Sequence, residues 1–279
     1  MKIKINVENV GYYSIYREPE VVYIELNKNR PHFTDSEIER GLKGTFEDYS
    51  TAGERCFGVA FTCIDKEEDK YNKNVPKYIR KNKKPIILSG NKIEKTRYVD
   101  GGYLFNRCHL IGLQFRPSKT NNENIIIGTR YFNINGMLPF ENKVKEYVDK
   151  GGRILYRVKP YFRGNDELAY GVQMEALSII DNKENEKLHY NVFVYNKQPG
   201  IDIDYESGKS YVDKSWGELE NKLNEECDCV FNINTKKIHV PDSACEKQKG
   251  CKKFYPGVSK ILLEHRGVYC KNCYPQGIK

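Results

Sequence analysis

No stretch of this 279-residue chain is apolar for long enough to cross a bilayer. The N-terminal run Met1-Lys2-Ile3-Lys4-Ile5-Asn6 alternates charged or polar with apolar side chains and lacks the continuous apolar core of a secretory leader. Export therefore has no support in the sequence, and a cytoplasmic location is the default expectation. Internal repeats and low-complexity tracts are missing too, which leaves an ordinary globular organisation. The 39% hydrophobic content is enough for a normal core, and the length fits one large domain with a small one. Cysteine is sparse until late: six of the nine fall after residue 226. An odd count clustered in this way favours a local metal site over a chain-wide disulfide framework, and it suits a reducing compartment.

Acidic residues are in deficit, 38 against 46 basic ones, for a formal charge of +8. The total fits a polyanionic partner or plain solubility. Its distribution says more. Lys73, Lys77, Arg80, Lys81, Lys83, Lys84, Lys92, Lys95 and Arg97 are opposed in their segment only by Glu94. Such a block captures backbone phosphates, or is simply a solvated loop.

Strand-like segments lie at 21–26, 58–64, 85–90, 153–162, 170–180 and 190–196, and the last three are joined by polar turns. Consecutive strands with short turns predict an antiparallel meander. One helix stands between them. Met137, Phe140, Val144, Tyr147 and Val148 recur at three- and four-residue steps, with Gly151 placed to cap the C-terminus. Pro139 is tolerated only in a first turn, so the helix should start near residues 136–138. After Tyr205 the texture changes. Residues 206–210 read as a linker, 215–223 as a short amphipathic helix, and the Cys-rich remainder as a compact module, which divides the chain at 1–205 and 206–279.

Just before that helix, Tyr103-Leu104-Phe105-Asn106-Arg107-Cys108-His109 is followed by Asn124, Asn133 and Glu141. These are the parts for cutting a phosphodiester with one metal ion. A histidine that titrates near neutrality takes a proton from water, amide and carboxylate oxygens serve a hard cation, and arginine holds phosphate. His109 is the candidate general base, and Arg107, two residues earlier on the same strand face, the candidate phosphate contact, or else a structural ion-pair partner. Asn133 and Glu141 would share one face if the helix reaches back to residue 133, which Pro139 puts in question. Cys108 points to the opposite face from His109, which suits packing better than nucleophilic catalysis.

Asn106-Arg107-Cys108-His109-Leu110-Ile111-Gly112, with residues 124–133 and Gly136-Met137-Leu138-Pro139-Phe140-Glu141-Asn142, resembles the DNA/RNA non-specific endonucleases of the ββα-metal fold. Within them it is most similar to the branch containing bacterial competence DNA-entry nucleases, over about residues 20–205. The resemblance implies an α+β fold in which an antiparallel-sheet nuclease domain carries a small Cys-rich module. It also implies His109 as general base, Asn133 as ligand of a catalytic Mg²⁺, Asn124 as auxiliary, Glu141 bound to the metal through water, DNA and RNA as substrates, and 5′-phosphate products. Asn106 stands where the family usually has Asp, and Cys108 where it has Gly. A second phosphate-binding arginine is not fixed; Arg55 and Arg80 are candidates. The competing class is a nucleic-acid-binding or interaction protein on a lapsed nuclease scaffold.

Near the C-terminus, Cys270-Lys271-Asn272-Cys273 has the spacing that brings two thiolates to one zinc from a tight turn, and His239, Cys245 and Cys251 offer further ligands. Disulfides or packed thiols are the plainer alternative. The stretch is similar to a small His/Cys metal-binding module found at the C-termini of bacterial nucleases. That resemblance implies His239, Cys245, Cys270 and Cys273 as ligands of a structural Zn²⁺, with Cys251 the rival for the fourth place.

Overall fold

The computed structural model describes residues 21–50, 58–66, 99, 103–115, 117, 122–185, 187–214, 218, 221, 225–232, 235, 237–247, 254–257, 259–264 and 267–275. The basic block at 73–97, the strand expected at 85–90, most of the helix expected at 215–223, and Arg55, Arg80 and Cys251 lie outside the described residues.

In chain order the first elements are β1 (Tyr23–Glu25), α1 (Asp35–Lys43), β2 (Phe46–Tyr49), β3 (Ala60–Ile64), β4 (Phe105–His109) and β5 (Ile125–Thr129). A π-helical turn over Phe132–Met137 then runs into α2 (Leu138–Asp149). There follow β6 (Arg153–Tyr161), β7 (Gly171–Ile180), β8 (His189–Tyr195), β9 (Ile201–Ile203) and β10 (Ser210–Val212). Six strands form one antiparallel sheet in the order β1-β8-β7-β6-β3-β2, and β4 pairs with β5 as a separate hairpin. The fold is α+β, and the meander β6-β7-β8 is the one its sequence predicts.

Helix α1 starts on a capping box. Thr34 accepts from the Glu37 N–H at 3.3 Å, and the Glu37 carboxylate accepts from the Thr34 N–H at 2.8 Å. Arg157 holds this helix to the sheet by pairing Glu37 at 2.8 Å and Glu175 at 3.0 Å.

Helix α2 buries Phe140, Val144, Tyr147 and Val148 against the inward-facing side chains Tyr156, Val158, Val172, Met174, Tyr190, Val192 and Val194 of the sheet. At about 1.5–3 kcal/mol for each fully buried large apolar side chain, this face fixes the helix on the sheet. Its end matches expectation: Gly151, at φ +97°, donates to the Val148 carbonyl at 2.9 Å and Gly152 to that of Tyr147 at 3.3 Å, a Schellman closure.

The linker expected at 206–210 is corrected. Those residues form the turn and first pairing of a hairpin in which Ser210 lies opposite Ile203 and Val212 opposite Ile201. Gly208, at φ +67°, makes the turn, and the Tyr205 hydroxyl donates to the Asn196 carbonyl at 2.6 Å. Beyond it, β11 (Cys229–Asn232), β12 (Lys237–His239), α3 (Ala244–Lys247), β13 (Phe254–Gly257), α4 (Ser259–Glu264) and β14 (Val268–Tyr269) build a second sheet in the order β13-β11-β12-β14. Among the described residues no helix is long and apolar enough to cross a membrane.

Candidate active site and metal centre

The β4–β5 hairpin, its connecting turn and the helical segment that follows carry Arg107, His109, Asn124, Asn133 and Glu141. Strand alternation places Cys108 inward, with no exposed surface, and leaves Arg107 exposed and His109 half-buried. Burial pushes the Cys108 thiol well above its ordinary value, so it stays protonated and packed. His109 moves the other way. Its partial burial, and then the neighbouring positive charge of Arg107, lower its pKa from 6.5 to about 4. The imidazole is therefore neutral and able to accept a proton at neutral pH. Arg107 has no ion-pair partner among the described residues.

Asn124 lies against β4 and is fully buried. Its Oδ1 accepts from the Ile111 N–H at 2.7 Å, its Nδ2 donates to the Ile111 carbonyl at 3.0 Å, and its own carbonyl accepts from the Leu110 N–H at 3.0 Å. The amide thus clamps the backbone just after His109. That geometry makes Asn124 a positioning residue.

Asn133 sits in the π-helical turn, and the Leu138 N–H donates to its carbonyl five residues back. The helix does reach back to residue 133, through a wide turn in which Pro139, with no N–H to offer, falls in the first turn of α2. The wide turn matters for alignment. Eight residues of regular α-helix make roughly 2.2 turns, and one extra residue absorbed by the π turn brings this to roughly 1.9, so Asn133 and Glu141 return to one face. The Asn133 amide has no hydrogen-bond partner among the described residues.

Glu141 is 7% exposed. Gln114 Nε2 reaches it at 3.5 Å, and no cation pairs with it among the described residues. Burial pushes its carboxyl up to about 8. Gly112 makes room for it, since a Cβ there would lie 2.6 Å from Glu141 Oε2. A buried carboxyl with no cationic partner among the described residues, on the same helical face as an uncommitted amide, fits a hard divalent cation, whose charge would offset the burial cost.

Asn106, the departure from the family pattern, is half-buried with its Nδ2 3.5 Å from the Leu104 carbonyl. Sequence reasoning gave no role to Gly112, to Gln114 or to the bracket after β8. Asn196 Oδ1 accepts from the Thr129 N–H at 2.9 Å and Gln198 Oε1 from the Tyr131 N–H at 3.0 Å, so these side chains dock the β5 end onto the sheet. Buried amides in a loop have no periodic signature; only their order within a motif could have pointed to them.

In the C-terminal sheet, the ligand atoms of His239, Cys245, Cys270 and Cys273 all lie within 4.8 Å of one another. His239 Nδ1 is 3.4 Å from Cys273 Sγ. The Cys270 carbonyl accepts from the N–H groups of Cys273 at 3.0 Å and Tyr274 at 2.9 Å, which makes the tight turn that two thiolates on one ion require. Although burial opposes it, hydrogen bonds from the Cys273 and Asn272 backbones and from the Cys245 and Cys273 side chains hold the Cys270 thiol below its ordinary value. Cys227 and Cys229 stand apart: the first is exposed, and the second, buried, contacts the Gly257 carbonyl at 3.1 Å. All seven described cysteines are free thiols.

A two-stranded hairpin presenting a histidine, followed by a helix carrying amide and carboxyl side chains, is a ββα arrangement. Residues 79–180 match the family model described as DNA/RNA non-specific endonuclease. A deoxyribonuclease of Streptococcus dysgalactiae subsp. equisimilis is 28% identical over 188 residues, covering 61% of this chain and 54% of that protein. The chain thus spans about half the length of that curated relative. Among solved structures, NucA from Streptococcus agalactiae with magnesium bound superposes with a TM-score of 0.55 at 20% identity, over 70% of this chain and 89% of that one. Its metal-free form gives 0.51 at 21%, over 69% and 87%. Both likenesses bear on the fold.

Proposed function

We propose that the chain is a metal-dependent endonuclease that hydrolyses phosphodiester bonds in DNA, and in RNA as a further substrate. The observation that carries this reading is Glu141, a buried carboxylate without a cationic partner among the described residues, on the helix that follows the His109 hairpin. Asn133 would hold Mg²⁺ directly and Glu141 through water. Bound there, the ion would stabilise negative charge developing on the phosphate and acidify a water near the leaving oxygen. His109 takes the proton of the attacking water, and its depressed pKa keeps it unprotonated for that task. Arg107 binds and orients a phosphate. Asn124 keeps the turn after His109 fixed. The 5′-phosphate expected of the products follows if the water attacks opposite the 3′-oxygen.

His239, Cys245, Cys270 and Cys273 would hold a structural Zn²⁺; the module is too small to be stabilised by core burial alone. We assign the nuclease unit to the residues before this module and the zinc unit to those after β10. The kinship with NucA is the reason to retain the competence-nuclease branch as the reading. The cytoplasmic expectation gains no support and is not carried forward.

The test is incubation of plasmid DNA and single-stranded RNA with purified protein, in Mg²⁺ or in chelator, for wild type and His109→Ala. Cutting that needs both Mg²⁺ and His109 is expected. Binding without cutting would return the chain to the lapsed-scaffold class, and equal cutting by His109→Ala would remove the mechanism.

A further inference from the structure

The sheet has a second face. Side chains that alternate away from α2 on β6, β7 and β8 include Lys159, Tyr161, Phe193 and Tyr195, and Tyr170 joins them from the loop before β7. Phe193 lies at the centre, with ring centroids 5.7 Å from Tyr161, 5.5 Å from Tyr170 and 5.1 Å from Tyr195. Gly171 is what lets them converge, because a Cβ there would meet Phe193 Cζ at 2.4 Å. The three tyrosines are half-buried, and the hydroxyls of Tyr170 and Tyr195 have no hydrogen-bond partner among the described residues. Cations ring the cluster. Lys159 Nζ lies 5.0 Å from the Tyr161 centroid, Arg163 Cζ 5.1 Å from that of Tyr170, and Lys197 Nζ 5.9 Å from that of Tyr195. Lys159 and Arg163 are exposed and have no carboxylate partner among the described residues. Ile24, opposite Phe193 on the edge strand, is 41% exposed and extends the apolar surface.

We propose that this face, on the side of the sheet away from α2, is a docking platform for single-stranded nucleic acid. Aromatic rings interleaved with cations fit unpaired bases that stack while their phosphates meet Lys159 and Arg163. A duplex keeps its bases stacked inside and could offer these rings nothing but its backbone. A second copy of the chain is disfavoured by the net charge of +8, which sets like charge against like. The platform takes its ligand class from the proposed function but uses none of the hydrolytic residues.

The experiment measures fluorescence anisotropy of a labelled oligothymidine with the His109→Ala protein in chelator, so that nothing is cut. Lys159→Glu with Arg163→Glu should weaken binding roughly tenfold or more, and so should Tyr161→Leu with Tyr170→Leu, which keeps apolar bulk but removes the rings. Protein with its platform intact should also prefer oligothymidine to an abasic strand of equal length, a comparison that needs no platform substitution to fold. Binding unchanged by either pair, loss confined to the charge pair, or equal affinity for the abasic strand would overturn the platform. Plasmid cutting in Mg²⁺ by the wild-type protein is scored separately. If cutting is absent while oligothymidine still binds through the rings, the nuclease reading fails alone; if cutting persists without ring-dependent binding, the platform fails alone.

Discussion

At the scale of the residue, His109 and Glu141 have opposite electrostatic problems. His109 titrates at about 4, below its ordinary 6.5. Its neutral form is the one the fold prefers, so the stability it contributes is present above pH 6.5 and lost as pH falls toward 4. Catalysis should follow the same value. kcat/KM is expected to hold from neutrality to about pH 5, and a pH–rate profile with its acid limb at 6.5 would show that the imidazole is not depressed in the working protein. His109→Ala should lower kcat by about 10²–10⁴-fold. Glu141 is held neutral without a cation, its carboxyl raised from 4.5 to about 8. Its contribution to stability is therefore present below pH 4.5 and lost as pH rises through 8, unless a cation restores it. Thermal melts in chelator at pH 9 should show Glu141→Gln more stable than wild type. Adding Mg²⁺ should raise the wild-type Tm and leave that of the variant nearly unchanged.

At the scale of the element, the β4–β5 hairpin depends on close fits that a local reading of sequence detects unevenly. Helix α2 was legible because Phe140, Val144 and Tyr147 repeat at helical spacing and Gly151 closes it. Its backward extension was not, because a π turn leaves no periodic trace and Pro139 argues against a regular one. Strand β5 went unread for a related reason: Ile125, Ile126 and Ile127 are continuously apolar and do not alternate. The Thr34–Glu37 capping box that starts α1 was readable and was passed over. Asn124 and Gly112 show how much of the site lies in tertiary contact. Asn124→Ala would leave the buried N–H and carbonyl of Ile111 unpaired, an expected loss of about 1–3 kcal/mol for each group, measurable by urea denaturation. Gly112→Ala would put a methyl group against the Glu141 carboxylate, and Mg²⁺ titration should show affinity reduced about 10–100-fold, as for other supports of a metal ligand.

At the scale of the molecule, the large sheet has an extended apolar core, while the small one buries only a few large apolar side chains, among them Phe231, Ile238 and Leu262, beside the cluster of His239, Cys245, Cys270 and Cys273. Metal analysis of the whole protein should find about one zinc per chain, and Cys273→Ser should lose it. Strong chelation should then melt the β11–β14 sheet in a transition separate from that of the nuclease sheet, visible by calorimetry. That His239, Cys245, Cys270 and Cys273 would come together was legible from the Cys270–Cys273 spacing and a family pattern. The neighbouring linker reading failed because Gly208 and Lys209 suit a hairpin turn as well as a flexible joint. The edge of the large sheet bears on how the chain is made. Strand β1 pairs with β8, and Asn29 binds the backbone of Asn191, 162 residues away. A ribosome adding about 5–20 residues per second leaves β1 waiting on the order of 10–30 s for its partner. Through that interval β1 lacks its partner strand, so the slow step in this protein's biogenesis should be the arrival of β8, and a chaperone that shelters the nascent chain around β1 should raise the yield of folded chain.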